Sequence, residues 1–308
     1  MSTVRELAAA TGLSIATISR VLNGHTNVAP HTRDVVLRAA GRQPRAGAVQ
    51  VHCPYPLDEY FGPMVSSIVA ALERRGLTTV LGGAPGPRPG VEGGILILPP
   101  EPAADLIRLR DQGFPFVVLD PRTPPPPDIA AVSAAHLTGA RALMAHLVDL
   151  GHRRVGLIGG PREWLVTDAR MAGWTAALAG AGVLPDPALQ RFIEPTVALG
   201  HAAAADLLGH PQPPTALACF NDKIAVGALR AARDRGRHVP GDLSITGFDD
   251  AEISRATEPR LTTVRQPLAE LGRMAVTLLL RMLDQHDLDA RHLELATDLV
   301  IRDSTAPA

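Results

Sequence analysis

Cysteine, lysine and aromatic side chains are all scarce in this sequence. The two cysteines, Cys53 and Cys219, each sit in a strand-like apolar stretch. That argues against a disulfide framework or a zinc site and suits free thiols in a reducing compartment. Aromatics make up 3% of the 308 residues, so the core has to be packed from Ala, Val, Leu and Ile. Lys223 is the only lysine. The arginine preference, with abundant Ala, Gly and Pro, reads as the coding bias of a GC-rich genome. No apolar run is long enough to span a bilayer, and no basic-then-apolar leader opens the sequence. The expectation is a cytoplasmic protein with no membrane partner.

What is present is enough for a full core. The chain is 46% hydrophobic, and its length allows more than one folded unit at roughly 100–200 residues each. The net charge of -1 conceals an asymmetry: residues 1–45 carry six arginines against Glu6 and Asp34, a balance of +4 that leaves -5 for the rest. A basic head on an acidic body suits a nucleic-acid-binding end joined to a sensor, although chance clustering would look the same.

The head has a readable helical pattern. Val4 to Thr11 forms a short amphipathic helix broken by Gly12, and Ser14 is a good N-cap for a second helix from Ile15 to Leu22. Two short helices around a Gly-containing turn make a helix-turn-helix. Pro30 suits the first position of a third helix running to Ala40. The start of the second helix would enter a major groove. Ile15 and Ala16 are placed to touch thymine methyl groups, and Arg20 to pair with a guanine. Ser14, Thr17, Ser19, Asn23 and Thr32 are short hydrogen-bonding side chains suited to phosphates. An ordinary helical hairpin with a solvated Arg is the competing reading.

The run TVRELAAATGLSIATISRVLNG, followed by VAPHTRDVVLRAA, resembles the DNA-binding head of the lactose-repressor (LacI) family. The resemblance implies that Ile15, Ala16 and Arg20 read bases and that Ser14, Thr17 and Ser19 hold phosphates. Two departures stand out. Ala29 replaces the family's usual capping Ser before the third helix. After that helix, GRQPRAGAVQV shows no hinge helix and no apolar residue to wedge into a minor groove.

From residue 49 strands alternate with helices, so the expected class is α/β with parallel sheets behind an all-α head. Strands are expected at Val49–Cys53, Thr78–Leu81, Ile95–Leu98, Phe116–Leu119, Arg154–Ile158, Thr215–Cys219 and Leu243–Thr246. Helices are expected at Phe61–Gly76, Ala103–Gln112, Leu137–Leu150, Ala169–Gly180, Asp222–Arg235 and Leu268–Asp284. GGAPGPRPGVEGG interrupts the pattern where a crossover helix would stand, and TPPPPD (123–128) reads as a stiff connection. AAHLTGARALMAHLVDLGHRRVGLIGG again resembles the repressor family and implies a two-lobed, periplasmic-binding-protein-like body. Residues 1–45 are therefore assigned to DNA binding. Residues 46–308 are assigned to effector binding and dimerisation, in lobes of about 46–122 and 123–308 with crossovers.

Ligands of open α/β sheets bind beyond the C-terminal ends of strands. The polar and aromatic residues there are Tyr60, Phe61, Asp120, Arg122, Trp164, Arg170, Phe220, Asn221 and Asp249. Flat apolar faces combined with charged hydrogen-bonding groups suit a sugar. The resemblance implies effector contacts for Arg170 in RMAGW, Asn221 in FND and Asp249 in GFDD, and stacking for Tyr60 or Phe61. Asp222 is read as capping its own helix and Asp250 as a cap or loop residue. His52, His136, His146 and His152 show no ligand spacing and are read as structural or solvated; no metal or cofactor is expected.

The expected function is a repressor that binds a pseudo-palindromic operator as a homodimer and responds to a small, sugar-like effector. An enzyme is the main rival. GLIGG lacks the G-x-G-x-x-G spacing of a dinucleotide loop, and Asp249-Asp250 has no accompanying nucleophile or metal set. A transport-type binding protein shares the implied fold but carries no DNA-reading head. The remaining alternatives are a regulator whose DNA coupling is impaired, which the missing hinge motivates, and a sugar-binding protein or enzyme of related fold with vestigial DNA binding.

Overall fold

The computed structural model describes residues 3–22, 28–40 and 47–308. Asn23 and the segment 41–46, which held most of the missing-hinge reading, lie outside the described residues.

The head consists of α1 (Val4–Thr11), α2 (Ile15–Leu22) and α3 (Pro30–Ala39). A capping box fixes the start of α1: Thr3 Oγ1 accepts from the Glu6 N–H at 3.3 Å and Glu6 Oε2 from the Thr3 N–H at 2.7 Å. Gly12 ends α1 in the left-handed region at φ 70°, and Ser14 Oγ then accepts from the Thr17 N–H at 3.1 Å. Leu7, Ile18, Val21 and Val36 close a small core of their own.

The first lobe is a six-stranded parallel sheet in the order β2-β1-β3-β4-β5-β11. Its strands are β1 (Ala48–His52), β2 (Thr78–Leu81), β3 (Val91–Ile97), β4 (Phe116–Leu119), β5 (Ala130–Ala134) and β11 (His292–Leu295). Alternate residues face opposite sides, as the strand period requires. Val49, Val51, Ile95, Ile97, Val117 and Leu119 pack under α4 (Phe61–Glu73) and α11 (Leu268–Leu283). Leu96, Phe116, Val118 and Ala131 pack under α5 (Ala103–Asp111).

No helix joins β2 to β3, as the Gly/Pro run predicts. Residues 82–90 cross instead as an irregular loop. Two polar side chains of β1 hold that loop against the sheet. Gln50 Nε2 donates to the carbonyls of Gly82 (2.9 Å) and Ala84 (3.0 Å), and His52 Nδ1 lies 2.8 Å from the Gly83 carbonyl.

The second lobe is a parallel sheet in the order β7-β6-β8-β9. It comprises β6 (Val155–Gly159), β7 (Gln190–Phe192), β8 (Ala216–Cys219) and β9 (Ser244–Thr246). On one face lie α6 (His136–Asp149) and α7 (Leu165–Gly180), with the fully buried Trp174 between them and the sheet. On the other lie α8 (Val197–Leu208) and α9 (Asp222–Asp234). After them come α10 (Glu252–Ala256) and an antiparallel ribbon of β10 (Thr263–Arg265) with β12 (Asp298–Val300). His152 is structural: its ring nitrogens meet Thr215 Oγ1 at 2.9 Å and Ser244 Oγ at 3.0 Å.

The expected lobe boundary at 122/123 is displaced. β5 follows the proline run yet pairs with β4 in the first sheet, and α11 and β11 return to that lobe. The chain therefore crosses between lobes three times: after β5, after β10 and after β11. α8, β5, β7 and the small C-terminal elements are additions to the sequence reading, and α7 starts four residues earlier than expected, at Leu165.

Glycine sets how closely each helix pair packs. A Cβ on Gly173 would lie 2.3 Å from the Leu137 carbonyl oxygen, and one on Gly227 would lie 2.3 Å from that of Val197. Gly227→Ala is expected to destabilise the protein by roughly 1–3 kcal/mol through forced separation of α8 from α9. Gly180→Ala, whose methyl meets nothing within 4 Å, is expected to be neutral or stabilising by up to about 1 kcal/mol. Urea unfolding midpoints of the two variants beside the parent check this.

Candidate functional site

Both sheets present their C-terminal strand ends to a common cleft, which encloses a cavity of about 570 Å³. Tyr60, Phe61, Asp120, Trp164, Arg170, Phe220, Asn221 and Asp249 all line it. Residues that follow five different strands are thus brought into one site.

On the first-lobe wall, Asp58 Oδ1 accepts from the Tyr60 N–H (3.0 Å) and the Phe61 N–H (3.2 Å) and so fixes the entry to α4. Phe61 stacks on Tyr55 with ring centroids 4.9 Å apart. The Tyr60 hydroxyl donates to Asp120, which also receives His136 Nε2 at 3.0 Å. Asp120 sits at φ 50°, a left-handed conformation that turns its carboxylate inward at the end of β4. Burial pushes the Asp120 carboxyl up, but His136, Tyr60 and Arg170 outweigh it and hold it below its ordinary range.

On the second-lobe wall, Arg170 is 3% exposed and lies between two aromatic rings, 4.4 Å from the Phe220 centroid and 3.7 Å from that of Phe248. One terminal nitrogen donates to the Phe220 carbonyl. The other lies 3.4 Å from His136 Nδ1 and 3.6 Å from Asp249 Oδ1. Its Nε–H is buried and makes no hydrogen bond, and neither does the Nε1–H of Trp164. Trp164 packs edge-on to Phe220 at 6.2 Å, with the Arg122 guanidinium 5.1 Å from its ring. Two buried donors on residues of the cleft wall are thus left without a protein partner, beside flat apolar faces.

Asp249 and Asp250 occupy consecutive positive-φ positions, 111° and 52°. Such backbone costs on the order of 1–3 kcal/mol per residue and persists only when neighbours over-determine it. Here the Asp249 N–H donates to the Val264 carbonyl at 2.8 Å, and Gln266 Nε2 donates to Asp249 Oδ1 at 2.6 Å. Asp250 binds Arg255 (2.8 Å), Arg265 (2.7 Å) and Arg302. It therefore positions its neighbour and faces away from the ligand set. Burial raises the Asp249 carboxyl to about 6, although Arg170 works against it. Burial and the nearby Asp249 charge raise Asp222 well above its ordinary range.

Several residues depart from their sequence assignments. Asn221, not Asp222, caps α9: its Oδ1 accepts from the Ile224 N–H at 3.1 Å. Asp222 instead accepts from the Thr263 hydroxyl (2.6 Å) and the Ala251 N–H (2.8 Å) and lines the cavity. His136, read as structural or solvated, also lines it. Tyr55, Asp58 and Lys223 were not singled out for the site. The sole lysine bridges the lobes, with Lys223 Nζ 2.5 Å from Asp58 Oδ2. Its uniqueness was the available signal. Two more links cross the cleft: Ile253 N–H to Glu59 Oε2 at 2.9 Å and Leu165 N–H to the Arg122 carbonyl at 2.8 Å. Among the described residues, no cluster of His, Cys, Asp or Glu could hold a metal ion.

In the head, Ser14, Ile15, Ala16 and Arg20 are exposed along the start and outer face of α2, while Ile18 is buried beneath them. Ile15 keeps 52% of its surface exposed, an apolar side chain without a core to enter. Thr17, Ser19 and Thr32 are half-buried. Ser14 and Thr17 are bonded to each other at 2.9 Å, so part of their hydrogen-bonding capacity serves the cap.

The Asp250 cluster yields a pH signature. The three arginines outweigh burial and hold its carboxyl at about 2, below the ordinary 3.8. A depressed carboxyl stabilises the fold above its unfolded value, and that stability is lost as pH falls through the folded value. Asp250→Asn is expected to cost at most about 2 kcal/mol near neutral pH. Parent and variant should converge between about pH 4 and 2, as measured by denaturant unfolding across a pH series.

Comparison with known proteins agrees with this geometry. The model for bacterial regulatory proteins of the lacI family matches residues 3–42, and that for periplasmic binding protein-like domains matches residues 144–305. The HTH-type transcriptional regulator MalR of Streptomyces coelicolor is 34% identical over an alignment covering 98% of this chain and 96% of that protein. A solved transcriptional regulator, the CelR–cellobiose complex, superimposes with a TM-score of 0.76 at 28% identity, covering 99% of this chain and 100% of that one. The lac repressor dimer bound to operator and the anti-inducer ONPF gives 0.74 at 25% identity, with 99% of each chain covered. From its DNA-reading head to its two-lobed body, this chain belongs to the LacI family of bacterial transcriptional regulators.

Proposed function

We propose that the chain is a repressor that binds a pseudo-palindromic operator as a homodimer and changes its operator affinity when a sugar enters the cleft. The observation that carries the effector half is the buried Arg170 Nε–H, left without a partner among aromatic faces and carboxylates. Sugar hydroxyls match such a site: they accept from Arg and Trp, donate to Asp, and their C–H faces lie on aromatic rings. A cellobiose-bound neighbour of the same architecture supports the reading. The operator half rests on the exposed row of Ile15, Ala16 and Arg20 on α2, with Ser14, Thr17, Ser19, Asn23 and Thr32 as phosphate contacts. A regulator is bound as a dimer on operator in another neighbour of this fold.

In fluorescence anisotropy with duplex DNA, affinity is expected to fall steeply as salt rises, as phosphate neutralisation requires. Arg20→Ala is expected to relax selection at one base pair by about 1–3 kcal/mol. An unchanged site preference after selection from random duplexes would refute that role. Arg170→Ala is expected to abolish the sugar response while the protein still binds operator. A normal response from that variant would remove Arg170 from the effector site.

A further inference from the structure

The charges around the cleft narrow the kind of sugar it can hold, granted that the effector is a sugar at all. Asp120, Asp222 and Asp249 lie deep in the cavity, and Asp58, Glu59, Glu194 and Glu294 also line it. Against these seven carboxylates stand two fixed cations, Arg170 and Lys223. Both are already engaged: Lys223 with Asp58, and Arg170 with the Phe220 carbonyl, His136 and Asp249.

Helix starts are the other usual receptors for phosphate, because their free N–H groups and dipoles favour an anion. At three of the helix starts lining this cavity the chain's own side-chain oxygens take N–H groups, while α6 and α7 begin there without a side-chain cap, the Leu165 N–H of α7 meeting the Arg122 carbonyl. Asp58 accepts from the first N–H groups of α4, Thr196 Oγ1 from the Leu199 N–H of α8, and Asn221 Oδ1 from the Ile224 N–H of α9. Burial already opposes negative charge here: it is the larger cause of the raised Asp222 and Asp249, and repulsion from neighbouring carboxylates adds to it. A further anion would add to that repulsion in a site with little water to screen it.

We propose that the effector is an uncharged polyhydroxylated sugar, and that the cleft rejects phosphorylated and carboxylated sugars by charge. The Nε–H groups of Arg170 and Trp164 supply single donors to hydroxyl oxygens, while the surplus carboxylates take the hydroxyl protons. This arrangement suits a ligand rich in donors and defeats one that brings only acceptors.

The test is calorimetric binding of cellobiose, maltose and ribose to the full chain, each beside its terminal phosphate ester, at one pH and ionic strength. At least one neutral sugar is expected to bind, with its ester at least about tenfold weaker. The rim carboxylates Glu194 and Glu294 are exposed, so the double variant Glu194→Gln/Glu294→Gln should fold and should narrow that ratio. An ester binding as tightly as its parent sugar, or a ratio unmoved in the double variant, overturns the charge assignment and leaves the sugar reading standing. If no sugar of either kind binds, the sugar reading itself falls, and this one with it.

Discussion

Arg170 is a guanidinium taken almost wholly out of water, and stripping an ion of solvent costs several kcal/mol unless its surroundings replace that solvent. The surroundings do so unevenly. Two aromatic faces, one carbonyl, a histidine and a carboxylate take its faces and terminal nitrogens, and its Nε–H is left over. Much of the cleft follows from that placement. Burial, with a smaller push from the Asp120 charge, raises Asp249 to about 6 even with Arg170 beside it. His136 touches both Asp120 and Arg170 and so joins the deep ends of the two walls through a single ring.

Holding that constellation requires rigid supports on both sides. The glycines at 173 and 227 let each helix pair of the second lobe approach at backbone distance, and α7 and α9 carry Arg170 and Asn221 into the cleft. The strained turn at Asp249 is held by neighbours that never face the cavity, above all the arginines on Asp250. The lobes themselves are joined by three chain crossings and by the Asp58–Lys223, Glu59–Ile253 and Arg122–Leu165 links. A ligand that competes for any of these links would change the relation of the lobes, because each link has at least one partner that lines the same cavity.

How much of this was legible in the sequence depended on distance along the chain. β2 and β4 were read at their observed bounds, because short β-branched runs between turn signals leave little choice. The cleft residues were found because strand ends announce themselves one strand at a time. β5 was missed: AAVSA is weakly hydrophobic and follows a proline run that reads as a linker. α8 was missed because an alanine-rich stretch has little apolar contrast from face to face. The Lys223–Asp58 bridge spans 165 residues, and no periodicity reports a pairing between lobes. Asp222 was misassigned for a local reason, since Asn221 and Asp222 are both competent caps and only the backbone shows which one is used.

The sequence's oddest strand, AVQVH, becomes intelligible through the shortened crossover. A strand buried inside a parallel sheet is normally apolar on both faces, yet β1 buries Gln50 and His52 on the face opposite α4. A crossover between parallel strands usually takes a dozen or more residues and a helix, and here residues 82–90 do the work alone. A loop laid over a sheet turns carbonyls onto it where a helix would present an apolar stripe, and carbonyls facing the sheet need donors. Gln50 and His52 supply them to Gly82, Gly83 and Ala84. The polar residues in the strand and the missing helix are therefore one adaptation: a helix restored at 82–90 would need apolar residues at 50 and 52, and apolar residues there without the helix would orphan the loop's carbonyls.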